Sequence, residues 1–255
     1  MDAPLEIIEL GRGVTPPYAC SYLPGETASL DFRFVHSISQ RSYGELLRRG
    51  WRRFGHDFFR PVCQHCSECL GIRLLPQELQ MSKSQRKCWR RNAGLAVDVQ
   101  PPTVSQAHVD LHNAYHAAMH DAKGWPFHPI DERDYAEYFT SCVGDYAREF
   151  LYHDKGRLIG VGLVDIVDDA ISSVYFFHAP ELRALGLGTF SVLYEATYAR
   201  SLGLSYHYLG YWIKQCGSIS YKNKFSPHEY LRTFPDDNEE PVWEGADSLG
   251  SLGRD

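Results

Sequence analysis

The spacing of apolar and polar positions predicts short strands and helices in the first hundred residues. Residues 30–35 alternate as a strand does, and residues 43–49 have a helical spacing that ends at Gly50. Residues 82–92 predict a basic helix, with Ser82 as its N-cap and an asparagine at its end. Strand-like residues 97–99 are followed by two prolines, which mark the expected domain boundary at residue 100.

The second half predicts a larger sheet with helices around it. Residues 105–121 predict a helix that carries a histidine at every fourth position of one face. Three strands then form an antiparallel meander, and a glycine-bearing loop, a helix and a final strand follow: residues 149–153, 158–165, 170–178, 180–189, 189–200 and 206–212. The pattern predicts a mixed α+β or α/β fold of two domains, 1–100 and 101–235, with a disordered acidic tail at 236–255.

Composition narrows the class of protein. No apolar run approaches the roughly 18 residues that cross a bilayer, so no membrane partner is expected. The first ten residues carry acids and lack the basic-then-apolar pattern of a signal peptide. Seven cysteines, three of them clustered, are not typical of a secreted disulfide framework. These features predict a cytoplasmic protein.

The clustered cysteines indicate a metal site. Cys63, Cys66 and Cys69 are each separated by two residues, a spacing that lets thiolates converge on one soft metal. Cys20 is the preferred fourth ligand, with Cys88 and His65 as alternatives. A structural zinc site is favoured over an iron–sulfur cluster, and metal-free thiols are the third interpretation.

Charge is distributed unevenly along the chain. Residues 41–91 contain twelve Lys or Arg against four Asp or Glu, although the whole chain carries a net charge of −6. Such a basic segment on an acidic protein is typical of a polyanion site, and its interleaved tryptophans favour RNA over DNA. The residues predicted to contact RNA are Arg52, Arg53, Arg60, Lys83, Arg86, Arg90 and Arg91.

The loop before the last long helix resembles a phosphate-binding loop. Arg183, Gly186 and Gly188 match the R/Q-x-x-G-x-G/A pattern of the GCN5-related N-acetyltransferases, and the predicted order of strands and helix resembles their fold. A glycine-bearing loop at a helix N-terminus presents free backbone N–H groups to phosphates or to a carbonyl oxygen.

Motifs along most of the chain together resemble the arginyl-tRNA–protein transferase family, and most closely its bacterial aspartate/glutamate leucyltransferase branch. They span residues 20 to 231 in the expected order: Cys20-Ser-Tyr-Leu-Pro24, Gly50-Trp-Arg-Arg53, Arg60-Pro-x-Cys63-x-x-Cys66-x-x-Cys69, Ser82-x-Ser84-Gln-Arg86, Arg91-Asn92, Leu187-Gly188-Thr189, Tyr208-Leu-Gly-Tyr-Trp-Ile213, Cys216, Tyr221-Lys222, Phe225 and Pro227-x-Glu229.

The resemblance implies a cysteine-bearing N-terminal domain and an acetyltransferase-like C-terminal domain. It also implies transfer of an aminoacyl group, preferably leucine with arginine as the alternative, from tRNA to proteins that begin with Asp or Glu and are thereby marked for degradation. The donor ester is already activated, so the transfer chemistry requires no cofactor. The attacking α-amine has an ordinary pKa of about 7.7–8.0, which leaves part of it neutral in the cell.

Site residues follow from this expected chemistry. Lys222 is the first choice for a catalytic cation, with Tyr208 and Glu229 beside it in the family motif, and His178 and His207 are further choices of general base. The residues expected to bind the two substrates are Arg183, Leu187, Gly188, Thr189, Trp212, Lys224 and Arg33.

Two other functions compete with this hypothesis. A coenzyme A-dependent N-acetyltransferase would account for the second half of the chain, and a non-enzymatic, metal-bound RNA-binding module would account for the first half.

Overall fold

A computed structural model describes residues 6–140 and 144–246 of the chain. The strands are β1 (Ile7–Val14), β2 (Tyr18–Ala19), β3 (Thr27–Ala28), β4 (Leu30–Ile38), β5 (Arg52–Phe54), β6 (Asp57–Pro61), β7 (Leu70–Leu74), β8 (Ala96–Gln100), β9 (Ala147–Asp154), β10 (Arg157–Val167), β11 (Ala170–His178), β12 (Tyr206–Trp212), β13 (His228–Leu231) and β14 (Trp243–Gly245). The helices are α1 (Gln40–Arg48), α2 (Lys83–Arg91), α3 (Gln106–Lys123), α4 (Glu132–Phe139) and α5 (Leu187–Ser201), with 3-10 segments at Pro76–Glu78, Pro180–Leu185 and Ser220–Lys224.

Two sheets organise these elements. The smaller sheet has the order β1-β4-β6-β5, and the larger one has the order β14-β13-β7-β12-β11-β10-β9-β8. All pairs of the larger sheet are antiparallel except β11 with β12, which run parallel because α5 connects them. The mixed α+β prediction is confirmed, as is the acetyltransferase-like order of meander, loop, helix and parallel strand.

Local sequence accounts for the best-defined helix boundaries. The Ser82 side chain accepts a hydrogen bond from the Gln85 backbone, and the Gln85 side chain accepts one from the Ser82 backbone, so α2 begins with a complete capping box. Helix α2 ends at Asn92, as its sequence predicts. The meander turn at Lys155 and Gly156 has positive φ at both residues, which suits a tight hairpin.

The two parallel strands separate soon after they meet. Their pairing ends at Ser172 and Tyr208. Just beyond, β11 shifts its register against β10 at Val174, and β12 shifts against β7 where Gly210 has φ +90°. Bulges increase local twist and redirect side chains. A cleft therefore opens between the two strands at this point.

Strands from both sides of the expected boundary at residue 100 share the larger sheet. Strand β7 lies between β12 and β13, and β8 forms the edge beside β9. The expected division into two domains, 1–100 and 101–235, stays a prediction.

The predicted disordered tail is ordered in its first half. Trp243 lies in β14, which pairs with β13, and its indole N–H donates to the backbone oxygen of Arg48 at 2.9 Å. The Arg73 guanidinium stacks on the same ring at 4.2 Å. The acidic composition of the tail predicted disorder because it gave no weight to this single anchoring tryptophan. Residues 247–255 lie outside the described part of the chain. Among the described residues, none of the helices combines the length and apolarity that would cross a membrane.

Candidate functional site

The largest described cavity is a cleft of about 660 Å³ at the separation of β11 and β12. Its floor comes from the two strands and one wall from the loop and first turn of α5, while Tyr115 of α3 and Phe54 of β5 also line it. Residues 218–222 close one side.

Arg52 crosses the floor of the cleft. Its guanidinium donates to the Ser172 hydroxyl at 3.0 Å and to the Ser173 carbonyl oxygen. A methyl group on Gly210 would lie 3.1 Å from the same guanidinium, so the glycine leaves room for it. Arg52 therefore lies where the strands part and lines the cleft rather than the outer basic surface.

Lys222 is the second cation of the cleft. Its ammonium donates to the Tyr211 carbonyl oxygen at 3.0 Å. Burial, with the nearby Arg52 charge as the second cause, lowers the pKa of Lys222 to about 7, although Cys216 acts in the opposite direction. A lysine that is largely desolvated beside another cation gains from an arriving carboxylate.

The predicted loop also lies at the cleft. Arg183, Leu187, Gly188 and Thr189 all line it. Gly186 has φ +69° and begins α5, so the loop turns into the helix as the glycine pattern predicts. The Arg183 side chain is exposed and has no hydrogen bond or ion pair to a described residue.

The histidines of α3 lie beside the cleft but do not line it. His116 lies 2.6 Å from the Tyr175 hydroxyl, and His112 stacks on His116. Burial lowers the pKa of His112 to about 4, with the His116 charge as the second cause. These histidines form a packed neutral stack against Tyr175, which lines the cleft.

Two of the three predicted catalytic residues lie away from the cleft. The Arg73 guanidinium donates to the Glu229 carboxylate at 2.7 Å and to the Tyr208 hydroxyl at 3.2 Å. Burial raises the pKa of Tyr208 to about 12, although Arg73 opposes the shift. Neither Tyr208 nor Glu229 lines the cleft, because their strand positions direct them toward Arg73 and Trp243.

Three predicted substrate-binding residues also lie outside the main cleft. The Trp212 indole donates to the Ser220 carbonyl oxygen at 2.9 Å and so anchors the segment that carries Lys222. Lys224 is exposed and lines a neighbouring cavity beside Thr189. The buried Arg33 side chain pairs with Glu9 and Asp237, far from a substrate role.

Two predicted RNA contacts are buried ion pairs. Arg53 donates two hydrogen bonds to the Asp165 carboxylate, at 2.9 and 2.8 Å, and only 6% of Arg53 is exposed. Burial opposes ionisation of Arg53, but Asp165 raises its pKa overall. Arg60 pairs with Asp31 at 3.2 Å and stacks on Trp51. Both guanidinium groups stabilise the fold through buried ion pairs. They are therefore not part of an RNA-binding surface.

The remaining predicted RNA contacts lie together on α2. Lys83, Arg86, Arg90 and Arg91 are all exposed. Arg91 additionally donates to the Ala184 carbonyl oxygen, which ties α2 to the loop before α5. The basic surface therefore adjoins the cleft at its loop side.

Cys20, Cys63, Cys66 and Cys216 gather around Cys69. Burial raises the pKa of Cys69 to about 12, and the thiols of Cys63, Cys20, Cys66 and Cys216 add to the shift. Across residues 6–140 and 144–246, however, no three His, Cys, Asp or Glu side chains are arranged to hold a metal ion. The expected metal at these cysteines stays a prediction, since the side chains as placed do not form a coordination shell.

Sequence comparison agrees with the geometry of the site. The family model for the N terminus of arginine-tRNA-protein transferase matches residues 18–87, and the model for its C terminus matches residues 107–232. An aspartate/glutamate leucyltransferase from Helicobacter hepaticus is 36% identical over 225 residues, which cover 88% of this chain and 93% of that protein. One from Acinetobacter baumannii is 37% identical over 220 residues, which cover 86% and 80%.

Solved structures resemble the chain more distantly. L-PGS from Bacillus licheniformis has a TM-score of 0.46 and 13% identity, with 82% of this chain and 64% of that one covered. A GCN5-related N-acetyltransferase from Kribbella flavida has a TM-score of 0.34 and 16% identity, with 63% and 56% covered.

The family models and the relatives define an aminoacyltransferase that acts from a charged tRNA. The chain belongs to the arginine-tRNA-protein transferase family, which confirms the predicted family and its use of an aminoacyl-tRNA donor and a protein acceptor. Within that family it belongs to the branch of the aspartate/glutamate leucyltransferases, also as predicted.

Sequence reasoning missed several residues of the cleft. Arg52 was expected on an outer RNA-binding surface, and its position beside a positive-φ glycine gave no separate signal in the sequence. Glu195 and Ser173 were not considered, although both line the cleft. A helix carboxylate in an otherwise apolar segment, Leu193 to Ala196, was the one signal that could have identified Glu195.

Proposed function

We propose that this protein transfers leucine from leucyl-tRNA to the N-terminal α-amine of proteins that begin with Asp or Glu. This reaction would mark those proteins for degradation in the cytoplasm. The observation that carries the proposal is the cleft itself: two cations, Arg52 and Lys222, lie at the point where an acyltransferase sheet opens. The names of the relatives support leucine as donor and acidic residues as acceptors.

Lys222 suits the acidic side chain of the acceptor. A carboxylate that enters the cleft restores the charge of a lysine whose pKa has been lowered to about 7. An alanine at the acceptor N-terminus would leave this lysine desolvated and unpaired. The preference for Asp and Glu thus follows from the cost of leaving Lys222 without a partner.

Arg183 suits the donor. It is exposed at the loop that leads into α5, where backbone N–H groups of Leu187, Gly188 and Thr189 begin the helix. Phosphates favour such a helix N-terminus, and a guanidinium strengthens the interaction. The 3′ end of the tRNA would reach the cleft from the side of α2. The lysine and arginine side chains of this helix would contact the acceptor stem.

Catalysis in this arrangement depends on positioning and electrostatics. The ester of aminoacyl-tRNA needs an attacking amine in line and donors for the oxyanion that develops on its carbonyl oxygen. The guanidinium of Arg52 and the first N–H groups of α5 are the donors nearest to the parting strands. No cofactor is required for this step.

A transfer assay tests the proposal. Purified protein is mixed with leucyl-tRNA or arginyl-tRNA and with peptides that begin with Asp, Glu or Ala, and mass spectrometry identifies the products. We expect leucine on the Asp and Glu peptides and none on the Ala peptide. Addition of arginine instead would overturn the donor, and consumption of acetyl-coenzyme A without tRNA would overturn the reaction.

A further inference from the structure

A buried carboxylate faces the cleft directly under the separation of the two strands. Glu195 lies in the middle of α5 and is 2% exposed, yet it lines the cleft. The Ser173 hydroxyl donates to its Oε2, and the His207 Nε2 lies 3.1 Å from the same oxygen. The Ser173 Oγ and His207 Nε2 are 2.8 Å apart, so the three groups form a closed triangle.

The arrangement differs from a Ser-His-acid nucleophilic triad. In such a triad the carboxylate holds the histidine nitrogen that is remote from the serine. Here the serine and the carboxylate both contact Nε2, and the other nitrogen, Nδ1, is buried with no hydrogen bond to a described residue. His207 therefore carries its proton on Nε2 and donates to Glu195, and its remaining lone pair is on Nδ1, which does not contact Ser173. Glu195 is the proton acceptor of the triangle.

Ser173 connects this acceptor to the cleft. It is half-buried, lies one residue beyond the last pair of β11 with β12, and precedes the bulge at Val174. Its carbonyl oxygen is held by Arg52, which fixes the backbone that carries the hydroxyl. The hydroxyl is the polar group through which a proton in the cleft can reach Glu195.

Other groups around Glu195 do not compete for this role. The buried Tyr152 on β9 and Tyr221 on the segment 220–224 both have their pKa raised, first by burial and then by the Glu195 charge, so both stay protonated. On β10 the nearest position is Gly162, where an added methyl group would lie 3.4 Å from the Glu195 Oε1. The absence of a side chain at Gly162 leaves that second carboxylate oxygen its space.

We propose that Glu195 accepts the proton of the acceptor α-amine through the Ser173 hydroxyl. This proposal rests on the transfer reaction proposed above and adds a proton path to it. The neutral amine attacks the ester carbonyl carbon and becomes a cationic nitrogen in the tetrahedral intermediate. One N–H proton then passes to the Ser173 oxygen while the serine proton passes to the Glu195 carboxylate. The intermediate collapses to the amide and the carbon–oxygen bond to the tRNA breaks. The departing ribose oxygen takes up a proton from the Ser173 hydroxyl, which regains one from Glu195, so that the carboxylate is restored.

Single-turnover transfer of leucine from leucyl-tRNA to an Asp peptide provides the test. Positioned proton transfer contributes about 10²–10⁴-fold to a rate, so E195Q and S173A are each expected to lose about 10²-fold. Thermal unfolding and tRNA binding confirm that each variant is folded. The matched control is E149Q: Glu149 is also a buried carboxylate with histidine and hydroxyl partners, but it lies on β9 outside the cleft.

Chemical rescue separates proton transfer from a purely structural role. In E195A, added formate is expected to enter the space of the missing side chain and to restore the rate at least tenfold, whereas the same concentration of chloride is not. If E149A reduces the transfer rate, formate is expected not to restore it. Wild-type rates in E195Q or in S173A, or equal responses of E195A to formate and chloride, would overturn the proton path. Failure of the wild-type protein to transfer leucine would instead overturn the proposed function.

Discussion

Lys222 makes a prediction that depends only on where the structure places it. Burial and the Arg52 charge lower its pKa from 10.5 to about 7 in the folded chain. Between those two values the unfolded chain binds more protons than the folded chain, so stability rises with pH. The free-energy cost of burying charged Lys222 is therefore complete below pH 7, and it is lost as the pH rises toward 10.5.

The size of the effect follows from the shift. Each pH unit of full difference in proton binding is worth about 1.4 kcal/mol, and folded Lys222 is half-protonated at pH 7. Between pH 7 and pH 9 the wild-type protein should gain about 2 kcal/mol of unfolding free energy relative to K222M, in which no charge is buried. Residual contact of Lys222 with solvent reduces this value and does not change its sign.

Urea unfolding followed by tryptophan fluorescence, at pH 7, 8 and 9 with a thiol reductant, measures the effect. Other titrating groups are common to both proteins and cancel in the difference. K224M is the control, because Lys224 is exposed two residues further along the same segment. Parallel pH dependences of wild type and K222M would refute the reasoning and would place Lys222 in water rather than in the cleft.

Three other predictions concern the surfaces around the site. D165N should lower the unfolding free energy by about 3–5 kcal/mol, measured by urea unfolding, since it removes the carboxylate that accepts two hydrogen bonds from the buried Arg53 guanidinium. Unchanged stability would contradict the structural role of that ion pair. K83E/R90E should weaken tRNA binding and reduce the slope of log affinity against log salt by about 2, whereas K155E, at the β9–β10 turn, should not; equal slopes would move the RNA surface away from α2. Binding of an Asp peptide at pH 8 should take up a proton, because the arriving carboxylate raises the lowered pKa of Lys222. Calorimetry in buffers of different ionisation enthalpy measures this uptake. K222M should show none, and proton release by the wild type would contradict the pairing.

Local signals in the sequence were sufficient for most of the secondary structure. The capping box at Ser82, the alternation through the meander and the glycine-bearing loop before α5 each depend on neighbours within a few residues. Family motifs then located Lys222 and the loop in the same site. These features could be predicted because short-range chemistry determines them.

Long-range pairing could not be predicted in the same way. Arg53 and Arg60 are indistinguishable from surface arginines until Asp165 and Asp31 are brought beside them by the fold. Strand β7 pairs with β12, which lies more than a hundred residues further along the chain. Arg73 on β7 therefore donates to Tyr208 and Glu229, whose side chains point toward it and not into the cleft. Partners distant in sequence decide which charges remain available for function.

The central claim is that leucine transfer occurs between the separated strands β11 and β12. The most direct measurement is a crystal structure with a stable analogue, adenosine that carries leucine through a 3′-amide in place of the ester. We expect the leucyl carbonyl in the cleft between Ser173 and Gly210, with the adenosine toward the loop at Gly186. An analogue bound beside the cysteines, or in the cavity next to Lys224, would contradict it.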